Sequence, residues 1–550
     1  MTTSKQQWGS RVGVILAVSG SAVGLGNFLR FPGQAAANGG GSFMIPYFIA
    51  LLCLGIPIGW AEWTMGRYGG RKGLHSAPAV LGVIGRGPIA RYLGTAGVLI
   101  PLVVYFYYVL VESWCLAYFW QYLRGGLGID TAAPIADQAA ASTSFYYDFI
   151  GYEFDGVMFG GGLHESVVFW AITFTINVFF VYRGLSKGIE SFCRWAMPLM
   201  ALCALFVLVR VLTLGTPDPT QPEQNVVNGL GAMWNPDLEA LARPQTWLAA
   251  AGQIFFSLSV GFGVIINYSS YLRRKDDVVL SGLTASSTNE LFEVGFGGLI
   301  TIPAAFIFLG ASGAIAAAQA GSFGLGFQTL PVVFAHMPAG NLIGGIWFLM
   351  LFLAAITSSL SMLQPVMAFF EESLGVGRKV STTVVTLIGL AGSLFVIWFS
   401  KGSAALGTLD FWVGTLLIYV LAGVQIICFG WVFGVDRGLK EAHQGAQMRI
   451  PRIFRFIIKY VAPLYLIVIF IGFCWKDLPG AVRGILESES AVPMYSLLLI
   501  LAVATLIVVV TAIGARRWHA AGYDLDGLRL PEDEQPESVP PTARREGARA

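Results

Sequence analysis

The chain has 550 residues, 55% hydrophobic and only 12% charged, with a mean hydropathy of +0.67. Soluble domains carry about 25% charged residues, so the composition excludes a soluble globular protein and points to an integral membrane protein. The net charge of +2 says little by itself, and no nucleic-acid partner is expected. The alternating strands of about ten residues that mark a membrane β-barrel are absent.

A spanning helix needs roughly 20 apolar residues. After a short segment, 1–10, apolar runs follow at 11–37, 42–66, 90–123, 166–183, 191–214, 245–269, 279–310, 340–370, 381–399, 408–434, 453–475 and 491–515. The first is too long and too polar at its centre for a signal peptide, and no cleavage site follows it. Midway it carries Val23-Gly24-Leu25-Gly26, and the sixth run carries a near copy, Val260-Gly261-Phe262-Gly263. Glycine weakens a helix and lets the backbone open. In lipid, opened backbone survives only if it is buried in protein or lines a polar cavity. Matched interruptions in two halves of a membrane protein point to a transporter's binding site; the alternative is a pair of helix-packing motifs that need small residues.

The breaks lie five spans apart, and five is odd, so 11–214 and 242–434 are expected to be repeats of opposite orientation. The predicted fold is an all-α polytopic membrane protein with twelve transmembrane helices, a five-plus-five inverted repeat and discontinuous helices 1 and 6. Helices 11 and 12 (450–515) fall outside the repeat. The Pro-punctuated stretch 322–339 reads as a re-entrant or surface helix pair able to cover an exterior vestibule. Residues 516–550, rich in Pro, Glu and Arg, read as a disordered cytoplasmic tail.

Basic residues gather in alternate loops, with the largest group at Arg437, Lys440, Arg449, Arg452, Arg455 and Lys459. The positive-inside rule then places both termini in the cytoplasm. Six cysteines lie in or at the ends of apolar runs without zinc or redox spacing. The single N-x-Ser/Thr triplet, Asn267-Tyr268-Ser269, sits at a cytoplasmic membrane end, which favours a prokaryotic source and a multi-pass protein of the cytoplasmic (inner) membrane.

Ionisable groups inside spans are costly and usually functional. Here they are Arg30, Glu62, Glu112, Glu290, Glu293 and Asp410. Glu62 and Glu112 read as structural carboxylates that satisfy freed backbone amides. At a helix break, amide ends suit a carboxylate and freed carbonyls suit a hard cation. Asn27 and Asn289 can add amide oxygens, and Ser257, Thr357 and Ser358 hydroxyls. The histidines fall in predicted loops or the tail, and no hydrolase, P-loop or zinc motif appears. An enzyme is therefore not expected, and a gradient must supply the energy.

These residues carry a resemblance. The chain resembles the neurotransmitter:sodium symporters from Trp8 to about Arg517. The carriers are Ala22-Val-Gly-Leu-Gly-Asn-Phe-Leu-Arg-Phe-Pro32, Asn38-Gly-Gly-Gly41 and Glu62-Trp-Thr-Met-Gly-Arg-Tyr-Gly-Gly70, followed in order by Gly252-Gln-Ile-Phe-Phe-Ser-Leu-Ser259, Asn289-Glu290, Thr357-Ser-Ser359 and Asp410-Phe-Trp412. The resemblance implies two Na+ sites beside a central amino acid. The first would use the Ala22 carbonyl, Asn27, Ser257, Asn289 and the substrate's carboxylate. The second would use the Gly20, Val23 and Ala354 carbonyls with the Thr357 and Ser358 hydroxyls. The substrate carboxylate would meet the Leu25 and Gly26 amides and Tyr108. Its ammonium would meet the Ala22 and Phe256 carbonyls and Ser259. Its side chain would lie among Leu25, Val104, Tyr108, Phe256, Phe262, Ser358 and Met362. Arg30 and Asp410 would form the external gate, an ion pair reached through water, over a lid of Tyr108 and Phe256. Lys5, Trp8, Tyr271 and Glu372 occupy the internal-gate positions. There the family more often has Arg and Asp where this chain has Lys5 and Glu372, so the bidentate fork of Arg is lost.

Monoamine carriers of the family place an Asp where Gly24 stands; glycine leaves room for a substrate carboxylate. The wall is apolar apart from Ser358, and a charged side chain there would lose several kcal/mol of hydration. Neutral, mainly apolar α-amino acids are expected. Met362, flexible and gap-filling, and Ser21 and Ser257 depart from the pattern of a leucine-binding relative and leave the preferred size open. Chloride-dependent relatives have Ser at the position of Glu293, so this carboxylate reads as a built-in replacement for the anion, with proton exchange on the return step. The resulting function is sodium-coupled, chloride-independent symport by alternating access, with the lipid bilayer and a small amino acid as partners. An amino-acid sensor without turnover on the same fold is the alternative. Oligomeric state is not legible.

Overall fold

A computed structural model describes residues 8–159, 164–319, 321–476 and 478–529. Lys5 of the expected inner gate and residues 530–550 of the expected tail lie outside the described residues. Among the described residues the structure is helical, with no strand beyond one isolated bridge between Gly40 and Pro236.

Among the described residues, ten helices are long and apolar enough to cross a bilayer, and the bent pair Arg11–Ala22 and Gly26–Ala37, 47° apart, makes an eleventh span. The remaining expected span is present but broken into Pro244–Ser257 and Val264–Ser269, each too short to cross alone. Counted in chain order, span 1 is the bent pair. Span 2 is Gly41–Arg71, span 3 Pro88–Leu123, span 4 Glu165–Arg183 and span 5 Leu185–Leu212. Span 6 is the broken pair. Span 7 is Val278–Gln319, kinked at Gly310, span 8 Gly340–Leu374, span 9 Arg378–Trp398 and span 10 Lys401–Ala442. Span 11 covers 453–476 and is followed by a helix at Leu478–Leu486; span 12 is Val492–Ala520.

A helix apolar on every side is a buried one when protein surrounds it. The most apolar windows of spans 3 and 8 are 89% and 83% buried, against 33% for span 12. Spans 3 and 8 therefore form the centre, against which spans 1 and 6 lay their breaks. Span 12 turns Leu498, Leu501 and Val509 outward to lipid. Glu62 and Glu112 are both fully buried. Glu62 accepts a hydrogen bond from the freed Gly261 amide at 3.2 Å, as the sequence predicts. Glu112 does not serve a backbone amide: it accepts from the Asn177 side chain on span 4 at 3.1 and 3.2 Å.

The stretch 322–339 forms short helical turns, Gly324–Thr329 and Leu330–His336. It is pinned by Tyr118, which donates to the Phe327 carbonyl at 3.1 Å, and by Ser142 of the loop helix Ile135–Ile150, which donates to the Gln328 carbonyl at 2.6 Å.

The opening of the expected tail is not free chain. Residues 516–520 complete span 12, and the next nine fold back onto the segment between spans 2 and 3. Lys72 pairs with Asp524 at 2.5 Å, Arg91 with Asp526 at 3.2 Å, and Leu525 is buried. The physical reason is that Tyr523 and Leu525 form an apolar pair inside an otherwise polar stretch, and Tyr523 covers Gly73. Partial burial raises the Asp524 carboxyl, but hydrogen bonds from Lys72 and from the Arg529 and Leu528 amides outweigh it and hold the group below its ordinary value. A depressed carboxylate stabilises the fold above its unfolded value, near pH 4, and loses that contribution as pH falls through the folded value. A spin label on Leu528→Cys is therefore expected to keep constant mobility from neutral pH down to about 4 and to loosen below it. A signal unchanged to pH 2 would contradict this.

Candidate functional site

The two breaks use glycine differently. Helix Arg11–Ala22 ends because Val23 turns extended (φ −75°, ψ 101°), and helix resumes at Leu25. Neither Gly24 nor Gly26 takes a positive φ. What they supply is clearance: a Cβ at 24 would stand 2.8 Å from Ser358 Oγ, and one at 26 would stand 2.7 Å from the Phe256 ring. In the second break conformation is the issue. Gly261 and Gly263 have φ of +75° and +83°, and Ser259 is held at +54°, a region costly for a residue with a side chain. Its hydroxyl donates to the Ser21 carbonyl at 3.1 Å, tying one break to the other.

Between the breaks lies a cavity of about 30 Å³. Span 1 contributes Ala22, Gly24, Leu25, Gly26 and Asn27; span 3 contributes Val104 and Tyr108. Phe256, Ser257, Ser259 and Phe262 come from span 6, and Ser358 and Met362 from span 8. Every residue predicted to touch the substrate is thus brought to one cavity. Ser21, already marked in the sequence by its departure from a leucine-binding relative, also lines it, its hydroxyl 2.7 Å from that of Ser361.

Above this cavity opens a vestibule of about 420 Å³ that shares Leu25, Gly26, Tyr108 and Phe256 with it. Tyr108 and Phe256 are therefore the floor of one chamber and the roof of the other. Arg30 and Asp410 both line the vestibule without an ion pair between them. The Arg30 guanidinium lies 4.4 Å over the Phe256 ring, and Asp410 accepts from Tyr107 at 2.7 Å. Tyr107, next to the predicted Tyr108, is missed by the sequence because its partner is 303 residues away. Ser322 and Phe323 reach the same vestibule.

Two groups of oxygens flank the cavity. In the first, Asn27 Nδ2 donates to Asn289 Oδ1 at 2.8 Å, Asn27 Oδ1 accepts from the Gly24 amide at 2.8 Å, and Asn289 Nδ2 donates to Ser257 Oγ at 2.7 Å. Glu293 joins them, accepting from Asn289 at 3.0 Å, from Gln253 at 2.5 Å and from Ser257. Ala22 lines the adjoining cavity. In the second group, the Ser358 hydroxyl lies 3.1 Å from the Ala354 carbonyl and 3.4 Å from those of Gly20, Ser21 and Val23. The Thr357 hydroxyl is 3.0 Å from the Ala354 carbonyl. Oxygens without sulfur or imidazole, all neutral apart from the Glu293 carboxylate of the first group, are the donor type that suits a hard cation.

Among the described residues, the end of the breaks away from the vestibule is packed shut. Trp8 is buried, donates to the Tyr268 carbonyl at 2.9 Å and meets the Tyr268 ring edge-on. Tyr271 stacks on His75 at 4.5 Å. Glu372 accepts from the His75 and Ser76 amides at 3.2 and 2.7 Å. Trp8 and Glu372 are thus held by different partners, and His75, read from sequence only as a loop residue, belongs to this closure.

Two broken spans facing each other across a small, mainly apolar cavity, closed on one side and approached by a vestibule on the other, define a membrane transporter with discontinuous helices. The chain belongs to the sodium:neurotransmitter symporter family, which it matches over residues 5–133 and 130–519. An uncharacterised sodium-dependent transporter of Haemophilus influenzae is 30% identical over 86% of this chain and 99% of that protein. The sodium-dependent neutral amino acid transporter B(0)AT2 of Mus musculus is 25% identical over 84% of this chain and 72% of its own length. The crystal structure of MhsT in complex with L-phenylalanine superposes with a TM-score of 0.70 and 26% identity, covering 85% of this chain and 99% of MhsT.

Proposed function

We propose that the protein is a sodium-coupled symporter of neutral, mainly apolar α-amino acids that works by alternating access without chloride. The observation that carries the substrate class is the wall of the central cavity, which presents apolar side chains and hydroxyls, and no acid or base beside Met362, Val104 and Phe262. The Leu25 and Gly26 amides and Tyr108 receive the carboxylate; the Ala22 and Phe256 carbonyls and Ser259 receive the ammonium. The amino acids bound by B(0)AT2 and by MhsT, as those proteins are described, agree with this class.

Two sodium ions travel with the substrate in this reading. One is held by Ala22, Asn27, Ser257, Asn289 and the substrate's carboxylate. The other is held by Gly20, Val23, Ala354, Thr357 and Ser358. Glu293 supplies the negative charge that chloride would otherwise bring, and exchanges a proton on the return step. Arg30 and Asp410 close the outer side over Tyr108 and Phe256; Lys5, Trp8, Tyr271 and Glu372 close the inner side, with both termini in the cytoplasm.

Two sodium ions moving with one zwitterion down a tenfold gradient and a 100 mV potential supply on the order of 7 kcal/mol, enough for about a 10⁵-fold amino-acid gradient. The test is uptake of radiolabelled leucine into proteoliposomes under an inward sodium gradient, competed by each amino acid. Sodium-driven accumulation blocked by neutral apolar competitors is expected. Sodium-dependent binding without accumulation would favour a sensor, and no response to any amino acid would overturn the reading of Gly24 and the cavity.

A further inference from the structure

A buried carboxylate outside the site described so far holds the lower end of span 1. Glu190 is 1% exposed. It stands where the wide helical turn Leu185–Glu190 passes into the helix Ser191–Leu212 of span 5. Its carboxylate accepts from the Gly9 amide at 2.8 Å, from the Ser10 hydroxyl at 3.1 Å and from the exposed Arg194 at 3.2 Å. Ser10 is itself the N-cap of Arg11–Ala22, accepting from the Gly13 amide at 3.0 Å. A negative charge here faces the positive end of a twelve-residue helix.

The seat is shaped for that carboxylate. A Cβ on Gly13 would overlap the Glu190 side chain, and one on Gly9 would come within 3.2 Å of both its oxygens. Gly9, just ahead of the N-cap, and Gly13, in the first turn, therefore open a notch into which the carboxylate fits. The same face of span 5 continues upward along span 1. Cys193 and Met197 would stand 3.5 and 3.3 Å from a Cβ on Gly20, whose carbonyl belongs to the second oxygen group. One stripe, Glu190–Cys193–Met197, thus seals the lower half of span 1 from its end to those oxygens. On its opposite side the helix has a weaker tether, Arg11 to Asp277 at 3.5 Å with Arg11 half-exposed.

We propose that Glu190 is a positioning residue for inward opening, a clamp that fastens Arg11–Ala22 to span 5 and must release the Gly9 amide and the Ser10 hydroxyl before the second oxygen group can meet the cytoplasm. This rests on the alternating-access reading for its consequence in transport, but the clamp itself is a statement about conformation. It lies outside the inner-gate set of Lys5, Trp8, Tyr271 and Glu372.

Cys193 is a native reporter, because span 1 covers its thiol. The experiment uses the full-length protein in proteoliposomes with the other five cysteines replaced by alanine. The rate at which a water-soluble thiol reagent modifies Cys193 in sodium is measured for the parent, Glu190→Gln, Glu190→Ala and Gly13→Ala. Glu190→Ala is expected to label about tenfold faster, the effect of losing one charge-assisted hydrogen bond. Glu190→Gln, which still accepts from the Gly9 amide, falls between parent and Glu190→Ala. Gly13→Ala, which displaces the carboxylate sterically, matches Glu190→Ala, and the double variant adds nothing further. A merely structural role would not produce that grading or that non-additivity. Parent-like labelling in Glu190→Ala and Gly13→Ala overturns the proposal. Uptake by the parent is measured in the same vesicles, so that failure of the transport reading is seen separately: without uptake, faster labelling still supports the clamp and unchanged labelling still removes it.

Discussion

Gly24→Asp reduces amino-acid uptake by about 10³-fold, the equivalent of roughly 4 kcal/mol. Two effects act together. A Cβ at this position would lie 2.8 Å from Ser358 Oγ and 3.1 Å from Tyr108 Oη, so even the first added atom presses on the hydroxyl expected to meet the substrate carboxylate. The new carboxylate then enters a cavity of about 30 Å³ with no cationic side chain on its wall, where a second negative charge is unpaired and costs several kcal/mol. Gly24→Ala isolates the steric part, and because Ser358 Oγ and Tyr108 Oη end movable side chains, its loss is smaller, about tenfold. Both are read from initial rates of sodium-driven uptake at matched protein density. Near-parent uptake by Gly24→Asp would remove the argument that glycine here reserves space for the substrate's own carboxylate.

Glu293→Ser converts chloride-indifferent uptake into chloride-dependent uptake. In the parent, Glu293 is wholly buried and accepts from Gln253, Ser257 and Asn289, with Asn27 Nδ2 at 3.4 Å. Serine leaves those donors facing an uncharged gap, and unsatisfied buried donors cost about 1–3 kcal/mol each. A halide restores both the charge and the acceptor. Uptake by the variant is expected to fall at least about tenfold in gluconate and to recover with added chloride, while the parent shows no difference between the two salts. A variant indifferent to chloride would contradict the substitution of carboxylate for anion.

The sequence made the broken spans legible because each is local: an apolar run interrupted by glycine announces a break. The cavity wall was legible only through the family resemblance, since Val104, Tyr108, Ser358 and Met362 come from spans 3 and 8 and not from either break. The sequence could not say what each glycine was for. Gly24 and Gly26 serve clearance while Gly261 and Gly263 serve positive φ, yet both needs are written with the same letter. The missed residues are those whose meaning is a distant partner. Tyr107 acquires its role from Asp410, His75 from Tyr271, and Glu190 from Gly9, which is 181 residues away. Glu112 was expected at a backbone amide because a carboxylate in a span needs donors, but only packing reveals that Asn177 on span 4 provides them. The tail misled for a compositional reason: an average over a polar stretch hides the short Tyr523–Leu525 segment that docks.

That docking has a consequence for biosynthesis. Lys72 and Asp524 are 452 residues apart, and at 5–20 residues per second the ribosome needs roughly 20 to 90 seconds to make the second after the first. Throughout that interval the segment between spans 2 and 3, which also carries the His75 and Ser76 amides that hold Glu372, waits without its last partner. The face carrying this segment is finished only when nearly the whole chain has been translated, so a nascent chain stalled or truncated before residue 524 displays Lys72 and Arg91 without their Asp524 and Asp526 partners and is distinguishable, on that face alone, from a completed one.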